Sequence, residues 1–511
     1  MAMLLRTRKS KIALGIKIFA LLSVTIFYGL LNIFSEDTRD ATEILGGPNN
    51  RHLLAFSENQ SCTPAAIFDF PSDGFTRQQR QQGWIIIHTI LACYLFILLA
   101  IVCDDYFVPA IKRFCDSLQM SEDIAGATFM ATASSSPELF INCIGTFVTE
   151  GDLGVGTIVG SAVFNILAVP ACCGLFANMI LDLDWWPITR DSIIYGSAVI
   201  LLISALHDGR IYVYEALTLV LFYIFYIFIM YFNGSINALA TRALRRIQRK
   251  RRYTEIMRET EPLLSKIEKA GKEGSKCNIS NCVCEADISL KDCEELEEST
   301  NIWEWPTEET AKGKCWWIFT WPICFILYMT TPDCRKYPRL FVFTFLMCII
   351  WIGITSYVVA WLITVIGDTL NIPDSVMGLT FLAAGTSVPE AVSSVIVTNQ
   401  GHGAMGISSS IGSNTFDILL CLGIPWFIKT AFYPKVPDRH WIKINSSGIT
   451  YSAVSLLSTL VLFYGGLYLN KFRLDWKIGL GCLMLYAGFL LMASLIELNI
   501  FFPVNLPTCD R

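Results

Sequence analysis

The stretches GATFMATASSSPELF at residues 126–140 and GLTFLAAGTSVPEAV at residues 378–392 are two copies of one pattern. A constant offset of 252 residues separates them and continues without a gap to GSAVFNIL at 160–167 and GSNTFDIL at 412–419. About 16 of the roughly 42 paired positions are identical, and they include Gly, Pro, Ser and Glu as well as apolar residues. Unrelated helices share apolar character but not such a series, so the chain contains an internal repeat.

The composition around this repeat is that of a membrane protein. Of the 511 residues, 53% are hydrophobic and only 16% are charged, and the mean hydropathy is +0.49. An ordinary globular chain has roughly 25% charged residues. A net charge of −5 gives no support for nucleic-acid binding, and 18 cysteines scattered through apolar runs exclude a dense disulfide scaffold. The composition therefore predicts a polytopic membrane protein.

Apolar segments of about 20 residues are long enough to cross a bilayer as helices. A further run at 12–34 follows a basic stretch and is either a signal peptide or a signal anchor. Ten segments are predicted core spans: 84–104, 123–149, 154–176, 191–207, 211–232, 340–366, 374–398, 404–430, 448–469 and 475–499.

The distribution of Lys and Arg predicts the orientation of these spans. Segment 241–252 carries seven positive residues directly after the fifth span, which places the following loop in the cytoplasm. Its basic residues also suit contact with anionic lipid, although the charge rule alone explains them. Five crossings back, residues 35–83 are predicted to lie outside, where Asn59 of the sequon Asn-Gln-Ser could be glycosylated.

Five crossings, an odd number, separate the two copies, so they run through the membrane in opposite directions. Inverted repeats of this kind are typical of secondary transporters with a site near the bilayer midplane. The expected fold class is an all-α polytopic membrane protein with ten core transmembrane helices. They form two inverted five-helix repeats, plus the N-terminal signal peptide or anchor helix.

The predicted organisation of the chain has six parts. They are a signal peptide or anchor at 1–34, an extracellular or lumenal segment at 35–83, a first transmembrane repeat at 84–232, a cytoplasmic loop at 233–339, a second transmembrane repeat at 340–499 and an outer C-terminus at 500–511. The repeat cores lie at about 123–176 and 374–430. Within the loop, the apolar segment 316–331 is predicted to be an interfacial or partial helix. A crossing there would place Arg335 outside, against the charge rule.

Each repeat contains a proline just before a carboxylate in an apolar segment. Pro137 and Pro389 each remove a backbone donor and free the carbonyl four residues earlier, at Ala133 and Gly385. Carbonyl, hydroxyl and carboxylate oxygens are ligands for hard cations, so these segments predict a site for Ca²⁺ or Na⁺. The hydroxyl candidates beside the freed carbonyls are Ser134, Ser135, Thr386 and Ser387.

Acidic residues in the middle of the predicted spans need a partner, because a charge at the bilayer centre costs roughly 2.5–3.5 kcal/mol. A protonated carboxyl bonded between helices is one alternative, but a symmetric pair beside prolines favours cations. The residues concerned are Glu138, Glu390 and Asp417.

The second halves of the repeats supply further candidates. Asn165 is the equivalent of Asp417 and is either an ion ligand or a structural residue. Ser161 and Ser413 stand in Gly-Ser pairs that either let helices approach closely or contribute oxygens to the ion.

These paired motifs resemble the two alpha repeats of the potassium-dependent sodium/calcium exchangers, within the calcium/cation antiporter superfamily. The resemblance extends over nearly all membrane segments. It implies that Glu138 and Glu390 bind Ca²⁺ and Na⁺, and that Asp417 is associated with potassium dependence. Four positions depart from the usual pattern and leave ion affinity and selectivity open: Thr132, Ala133, Ser136 and Glu390.

The resemblance and the charge count together predict an electrogenic antiporter in which sodium drives calcium and potassium the opposite way. Three carboxylates supply −3, which matches one Ca²⁺ plus one K⁺. A potassium-independent sodium/calcium exchanger and a cation/proton exchanger are alternatives within the same class. A channel is disfavoured by the inverted repeat, and an intramembrane enzyme by the lack of a nucleophile–base set or an H-E-x-x-H motif.

The expected partners are the bilayer and the transported ions Ca²⁺, Na⁺ and K⁺, without a cofactor. The plasma membrane is the expected location, with an endosomal, Golgi or lysosome-related membrane as the alternative. Cys62 and Cys509 both fall in segments predicted to face an oxidising compartment, so we expect them to form a disulfide; two separate thiols are the alternative.

Overall fold

The computed structural model describes residues 66–117, 131–149, 152–176, 181–233, 311–335, 338–399, 403–433, 441–444 and 446–501, with single residues at 236 and 242. The predicted N-terminal helix at 12–34 and nearly all of the basic segment 241–252 lie outside these ranges.

Within the described residues, nine helices are long and apolar enough to cross a membrane. They match nine of the predicted spans, and the remaining one, 123–149, is described only from residue 131. The polytopic helical architecture is thereby confirmed. In chain order the helices are α1 (Arg77–Cys115), α2 (Ser136–Phe147), α3 (Leu153–Phe176), α4 (Trp185–Leu206), α5 (Val213–Tyr231), α6 (Ala311–Thr330), α7 (Phe341–Leu370), α8 (Asp374–Asn399), α9 (Gly403–Phe416, continuing through Asp417–Leu422 to Gly423–Phe432), α10 (Gly448–Leu469) and α11 (Trp476–Glu497).

Helix α1 has a kink at Gly83 (φ +118°), where the segment Arg77–Trp84 joins the apolar helix that begins at Ile85, next to the predicted start at 84. The polar residues of the first segment are neutralised inside the protein. Arg80 is only 6% exposed, and its guanidinium lies 2.9 Å from the Asp73 carboxylate and 3.0 Å from that of Asp368 in α7. At the other end a π-helical turn, Val102–Phe107, carries the helix past the predicted stop. The apolar run alone therefore underestimates the length of this helix.

Helix α4 also begins earlier than predicted, at Trp185 instead of 191. The added turn contains Arg190, whose Nε lies 2.7 Å from Oδ1 of Asp191. Because the two charges form an ion pair, they can be included in an otherwise apolar helix.

The segment predicted as an interfacial or partial helix at 316–331 forms the 20-residue helix α6. Ile323 and Leu327 are buried against α1 and α7, and Phe319 packs edge-on against Tyr94 of α1 with ring centroids 5.2 Å apart. A helix of this length spans about 30 Å. It packs beside two membrane helices but is not among the nine helices of the described chain that are apolar enough to cross a membrane. Its interfacial or partial position relative to the bilayer stays a prediction.

Two short antiparallel sheets join the halves of the molecule at the ends of the helices. Strand β1 (Leu181–Asp182) pairs with β4 (Arg473–Leu474), and β2 (Arg210–Tyr212) pairs with β3 (Trp441–Lys443). Each sheet joins two loops that the predicted orientation places on the same side of the membrane.

Close packing at glycine shows that the two copies fold alike. A Cβ on Gly154 of α3 would lie 2.5 Å from Oδ1 of Asn142 in α2. At the same offset of 252 residues, a Cβ on Gly406 of α9 would lie 3.2 Å from the carbonyl oxygen of Ser394 in α8. The helix pairs α2–α3 and α8–α9 therefore have equivalent contacts, and their buried residues meet in one central core.

Candidate ion-binding site

Glu138 lies in the first turn of α2, which also contains Pro137 and follows a backbone distortion at Ser135. The described chain resumes at residue 131 with helical residues Ala131–Ser134, Ser135 has non-helical dihedral angles (φ −98°, ψ 12°), and α2 starts at the next residue. Ser135 N still donates to the Ala131 carbonyl at 3.0 Å, so this is a local distortion. The N-terminus of a helix carries a partial positive charge, which favours a carboxylate at this position.

The second repeat differs from the first at its proline. Pro389 lies inside a helical segment, Ala383–Asn399, that is continuous through the proline, and a π-helical turn at Gly378–Leu382 precedes it. The distortion at Ser135 has no counterpart inside Ala383–Asn399, although the two prolines are equivalent by sequence. The equivalent of the π-helical turn in the first repeat, residues 126–130, lies outside the described residues.

The carbonyls predicted to be free are not all without partners. The hydroxyl of Ser136 donates to the Ala133 carbonyl at 3.0 Å, in place of the backbone donor that Pro137 lacks. Ser134 donates to Ala131 O at 3.2 Å, and Thr386 donates to two carbonyls of its own helix, both at 3.2 Å. These hydroxyl oxygens keep lone pairs for an ion, because only their protons are engaged.

Ser135 and Ser387 are equivalent residues of the two repeats and have the same unusual environment. Both are 0% exposed. Among the described residues the Ser387 hydroxyl has no hydrogen-bond partner, and the Ser135 hydroxyl has none at full hydrogen-bonding distance, although it interacts with the Asp417 carboxylate. Two further buried oxygens, Oε2 of Glu138 and Oδ1 of Asn165, also have no hydrogen-bond partner among the described residues. Buried polar atoms are almost always bonded, so four such oxygens around one region indicate a place for an ion or ordered water.

Asn165 of α3 links the two repeats at this region. Its Nδ2 donates to Oε2 of Glu390 at 2.5 Å and to Oδ1 of Asn414 in α9 at 3.1 Å. The backbone carbonyl of Asn165 accepts from Ser410 Oγ at 3.0 Å. Asn165 and Asp417 both stand in π-helical turns, Phe164–Ala168 and Asp417–Leu422.

The three predicted carboxylates are brought together by the fold. Asp417 is 1% exposed and lies beside Ser135 and Cys421, with its Oδ1 3.8 Å from Cys421 Sγ. Glu138 faces Thr386 and interacts electrostatically with both Asp417 and Glu390.

None of the ion pairs among the described residues neutralises these three carboxylates. Lys429, in the same helix as Asp417, instead donates to the carbonyl of Thr146 at the end of α2. In the described part of the chain no three His, Cys, Asp or Glu side chains are grouped closely enough to hold a metal ion by themselves. The carboxylates therefore form an open cluster, whose mutual repulsion favours bound cations.

Ser161 and Ser413 have a different environment from the central residues. Ser161 donates to the Ile158 carbonyl and Ser413 to the Ser410 carbonyl, each at 3.1 Å within its own helix. Next to the first of them, a Cβ on Gly160 would lie 2.2 Å from the Leu379 carbonyl oxygen. The sequence left two interpretations open for the Gly-Ser pairs, close helix packing and ion ligation. Close packing is present at Gly160. Ligation by either serine stays a prediction.

Sequence reasoning missed four residues near the cluster. Asp104 was placed at the end of a span, but α1 continues past it and its carboxylate interacts with Glu390. In the sequence, Asp104 and Asp105 form an acidic pair directly after an apolar run, and this pair could have indicated a functional position. Asn414 stands inside the quoted GSNTFD motif and could have been recognised there. Asn142 and Cys421 meet across α2 and α9, which no sequence pattern indicates.

Three predicted residues fall outside the described part of the chain: the sequon Asn59 and the cysteines Cys62 and Cys509. Their assignments stay predictions.

Two inverted repeats that cross at a cluster of buried carboxylates define a membrane transporter of the secondary type. A family model described as "Sodium/calcium exchanger protein" matches residues 88–232 and 340–495, more than half of the chain. The protein belongs to this sodium/calcium exchanger family.

Its relatives include three sodium/potassium/calcium exchangers of Homo sapiens. Exchanger 4 is 38% identical over 90% of each chain. Exchanger 3 is 38% identical, with 88% of this chain and 87% of the relative covered. Exchanger 5 is 36% identical, with 87% and 90% covered. Among solved structures, one of the sodium-calcium exchanger NCX_Mj covers 78% of this chain and 97% of its own, with 17% identity and a TM-score of 0.41.

Proposed function

We propose that the protein is an electrogenic antiporter that exchanges Na⁺ for Ca²⁺ together with K⁺. The observation that carries this proposal is the cluster of Glu138, Glu390 and Asp417, which are buried together where the two inverted repeats cross and are not neutralised by a described Lys or Arg. Three ionised carboxylates balance one Ca²⁺ and one K⁺. Relatives named sodium/potassium/calcium exchangers, matched along most of both chains, support the same conclusion.

Each group in the cluster has a proposed role. Glu138 and Glu390 offset the dehydration of Ca²⁺ or Na⁺, and Asp417 supplies the additional charge that retains K⁺. Neutral oxygens would complete the coordination of these hard cations. We propose Ser134, Ser135, Thr386, Ser387 and Asn165 as these ligands, with Ser161 and Ser413 as further candidates. The unpaired oxygens of Ser135, Ser387 and Asn165 and the contact between Thr386 and Glu138 support the choice.

Alternating access follows from the inverted arrangement. Because equivalent helices run in opposite directions, a rearrangement that opens the site to one side can be repeated in mirrored form for the other.

A steep sodium gradient across the plasma membrane would drive such a cycle, and we propose that membrane as the location. Imaging of a fluorescently tagged chain beside plasma-membrane and endosomal markers tests it; confinement to an internal compartment would contradict it.

The decisive experiment is ion flux in proteoliposomes loaded with Na⁺. We expect external Ca²⁺ uptake to require the outward sodium gradient and external K⁺, and to be accompanied by net charge movement. Uptake that ignores K⁺ would favour the potassium-independent exchanger, and uptake driven by a pH gradient would favour a cation/proton exchanger. Ca²⁺ flux without any opposing gradient would contradict antiport.

A further inference from the structure

The geometry points to Asn142 as a positioning residue that fixes α2 against α9 and so sets the relation between Glu138 and Asp417. Asn142 is 1% exposed, and its Nδ2 donates a hydrogen bond to the backbone carbonyl of Cys421. We call this contact the Asn142 crosslink. Its effect on ion binding rests on the proposed function, whereas the contact itself does not.

The acceptor of the crosslink is a carbonyl that its own helix cannot fully satisfy. In a regular helix the carbonyl of Cys421 would accept from the backbone N–H of residue 425. That residue is Pro425, which has no N–H. An unpaired carbonyl in a membrane interior is unfavourable, so a donor from a neighbouring helix replaces the missing one. The Asn142 amide is that donor.

The crosslink stands one turn from a carboxylate on each side. Asn142 follows Glu138 by four residues in α2, and Cys421 follows Asp417 by four residues in α9. Residues four apart lie on the same face of a helix, although the π-helical turn at Asp417–Leu422 widens that spacing in α9. Fixing the two helices at this point therefore fixes how far apart the two carboxylates stand.

The other half of the molecule has no such contact by sequence. The equivalents of Asn142, Cys421 and Pro425 are Ser394, Val169 and Cys173, and Cys173 has a backbone N–H to donate. The crosslink belongs to the half that carries Asp417, while the half that carries Asn165 lacks it. The half with the crosslink is thus also the half with a charged residue, Asp417, where the other half has the neutral Asn165.

The test is a double-mutant cycle between Asn142 and Pro425. Asn142→Ala removes the donor, and Pro425→Ala restores an N–H within α9 that can reach the Cys421 carbonyl. Ser394→Ala, at the equivalent position of the other repeat, is the matched control. The readouts are surface abundance and the KM values for Ca²⁺ and K⁺ in full-length protein in proteoliposomes.

We expect Asn142→Ala to raise the KM for K⁺ about five- to tenfold, the size of one lost buried hydrogen bond, with a smaller rise for Ca²⁺ because Glu390 also holds that ion. Ser394→Ala should change neither value more than about twofold. In the Pro425→Ala background the Asn142→Ala effect should largely disappear. If Asn142→Ala alone does not reach the membrane, recovery of abundance in the double variant supports the crosslink equally.

Equal effects of Asn142→Ala in both backgrounds would overturn the proposal, as would an unchanged KM in the single variant. Failure of both the single and the double variant to fold would also overturn it, because the restored N–H should compensate. If wild-type flux ignores K⁺, the proposed function fails, and the crosslink is then judged by non-additivity in the KM for Ca²⁺.

Discussion

At the scale of single residues, the chemistry of the protein depends on oxygen atoms that lack partners within the described chain. Ser135 and Ser387 are buried at equivalent positions with unbonded hydroxyls, and Glu138 and Asn165 each contribute one unbonded oxygen. A cation can take up these lone pairs without proton transfer. Under the proposed function, the transported ions neutralise the carboxylates during part of each cycle in place of a Lys or Arg.

Neutralising either repeat carboxylate is expected to abolish exchange. Glu138→Gln and Glu390→Gln keep side-chain size and hydrogen bonding but remove the charge that offsets Ca²⁺ dehydration. The measurement is sodium-driven Ca²⁺ uptake in vesicles, normalised to the amount of protein in the membrane. Normal uptake by both variants would show that these residues are not the ion ligands.

Asp417→Asn is expected to make exchange independent of potassium without inactivating it. Asn is nearly isosteric and still offers a carbonyl oxygen, as Asn165 does in the other repeat, but the charge that balances K⁺ is lost. Ca²⁺ flux across a K⁺ titration, compared with the wild type, is the measurement. Full K⁺ dependence in the variant would remove Asp417 from this role.

At the scale of helices, the two Gly-Ser pairs look alike in sequence but differ in their surroundings. A Cβ on Gly160 would lie 2.2 Å from the Leu379 carbonyl oxygen and 2.7 Å from Ala383 Cβ, so α3 and α8 would have to separate. A Cβ on its equivalent, Gly412, would meet only Tyr226 Oη, at 3.9 Å. Of the two glycines in the Gly-Ser pairs, only Gly160 therefore stands at a close helix contact within the described residues.

We expect Gly160→Ala to destabilise the protein by about 1–3 kcal/mol and to lower transport, since overpacking forces backbone shifts. Gly412→Ala is the matched control and should change stability by less than about 0.5 kcal/mol. Thermal unfolding of the purified proteins in detergent and Ca²⁺ flux are the two measurements. Equal tolerance at both positions would contradict the close contact between α3 and α8.

The ion pairs at the start of α1 lead to a second prediction at this scale. Arg80 joins Asp73 and Asp368, and Asp73 also lies 3.1 Å from Nε2 of His88. Arg80→Leu would leave two buried carboxylates without this partner, which costs about 3–5 kcal/mol. The control is Arg210→Leu. Arg210 is exposed and stacks on Trp441, with its Cζ 4.7 Å from the ring centroid, so this change should lower the free energy of unfolding by no more than about 1 kcal/mol. A similar fall in melting temperature for both variants would argue against a buried network.

At the scale of the whole molecule, the two repeats interlock. Helix α3 of the first packs on α8 of the second, and the sheets β1–β4 and β2–β3 join their loops at the ends of the helices. Asn165 and Asn142 each bond across the boundary between the repeats, to Glu390 and to the Cys421 carbonyl. The site is therefore a property of the pair, and neither repeat holds it alone.

Cys62 and Cys509 carry the prediction that concerns the ends of the chain. Both are expected to face an oxidising compartment, so we predict a disulfide between them. Mass spectrometry of a non-reduced digest should show one linked peptide, and a Cys62→Ser, Cys509→Ser variant should lack it. Recovery of both as free thiols in the wild type would end the prediction.

Hydropathy and repetition can be recognised along the chain without knowledge of its folding, so the membrane class, the positions of nine spans, the internal repeat and three candidate carboxylates could be derived from the sequence. Tertiary structure decided what depends on contacts between distant residues. It joined Arg80 to Asp73 and Asp368, distorted the backbone at Ser135 before Pro137 but not in the helix around Pro389, and made Gly160 tight where Gly412 has room. It also brought Asn142 to the Cys421 carbonyl, 279 residues away along the chain. Such partners are fixed only when helices pack, since a side chain's burial and hydrogen bonds depend on what faces it.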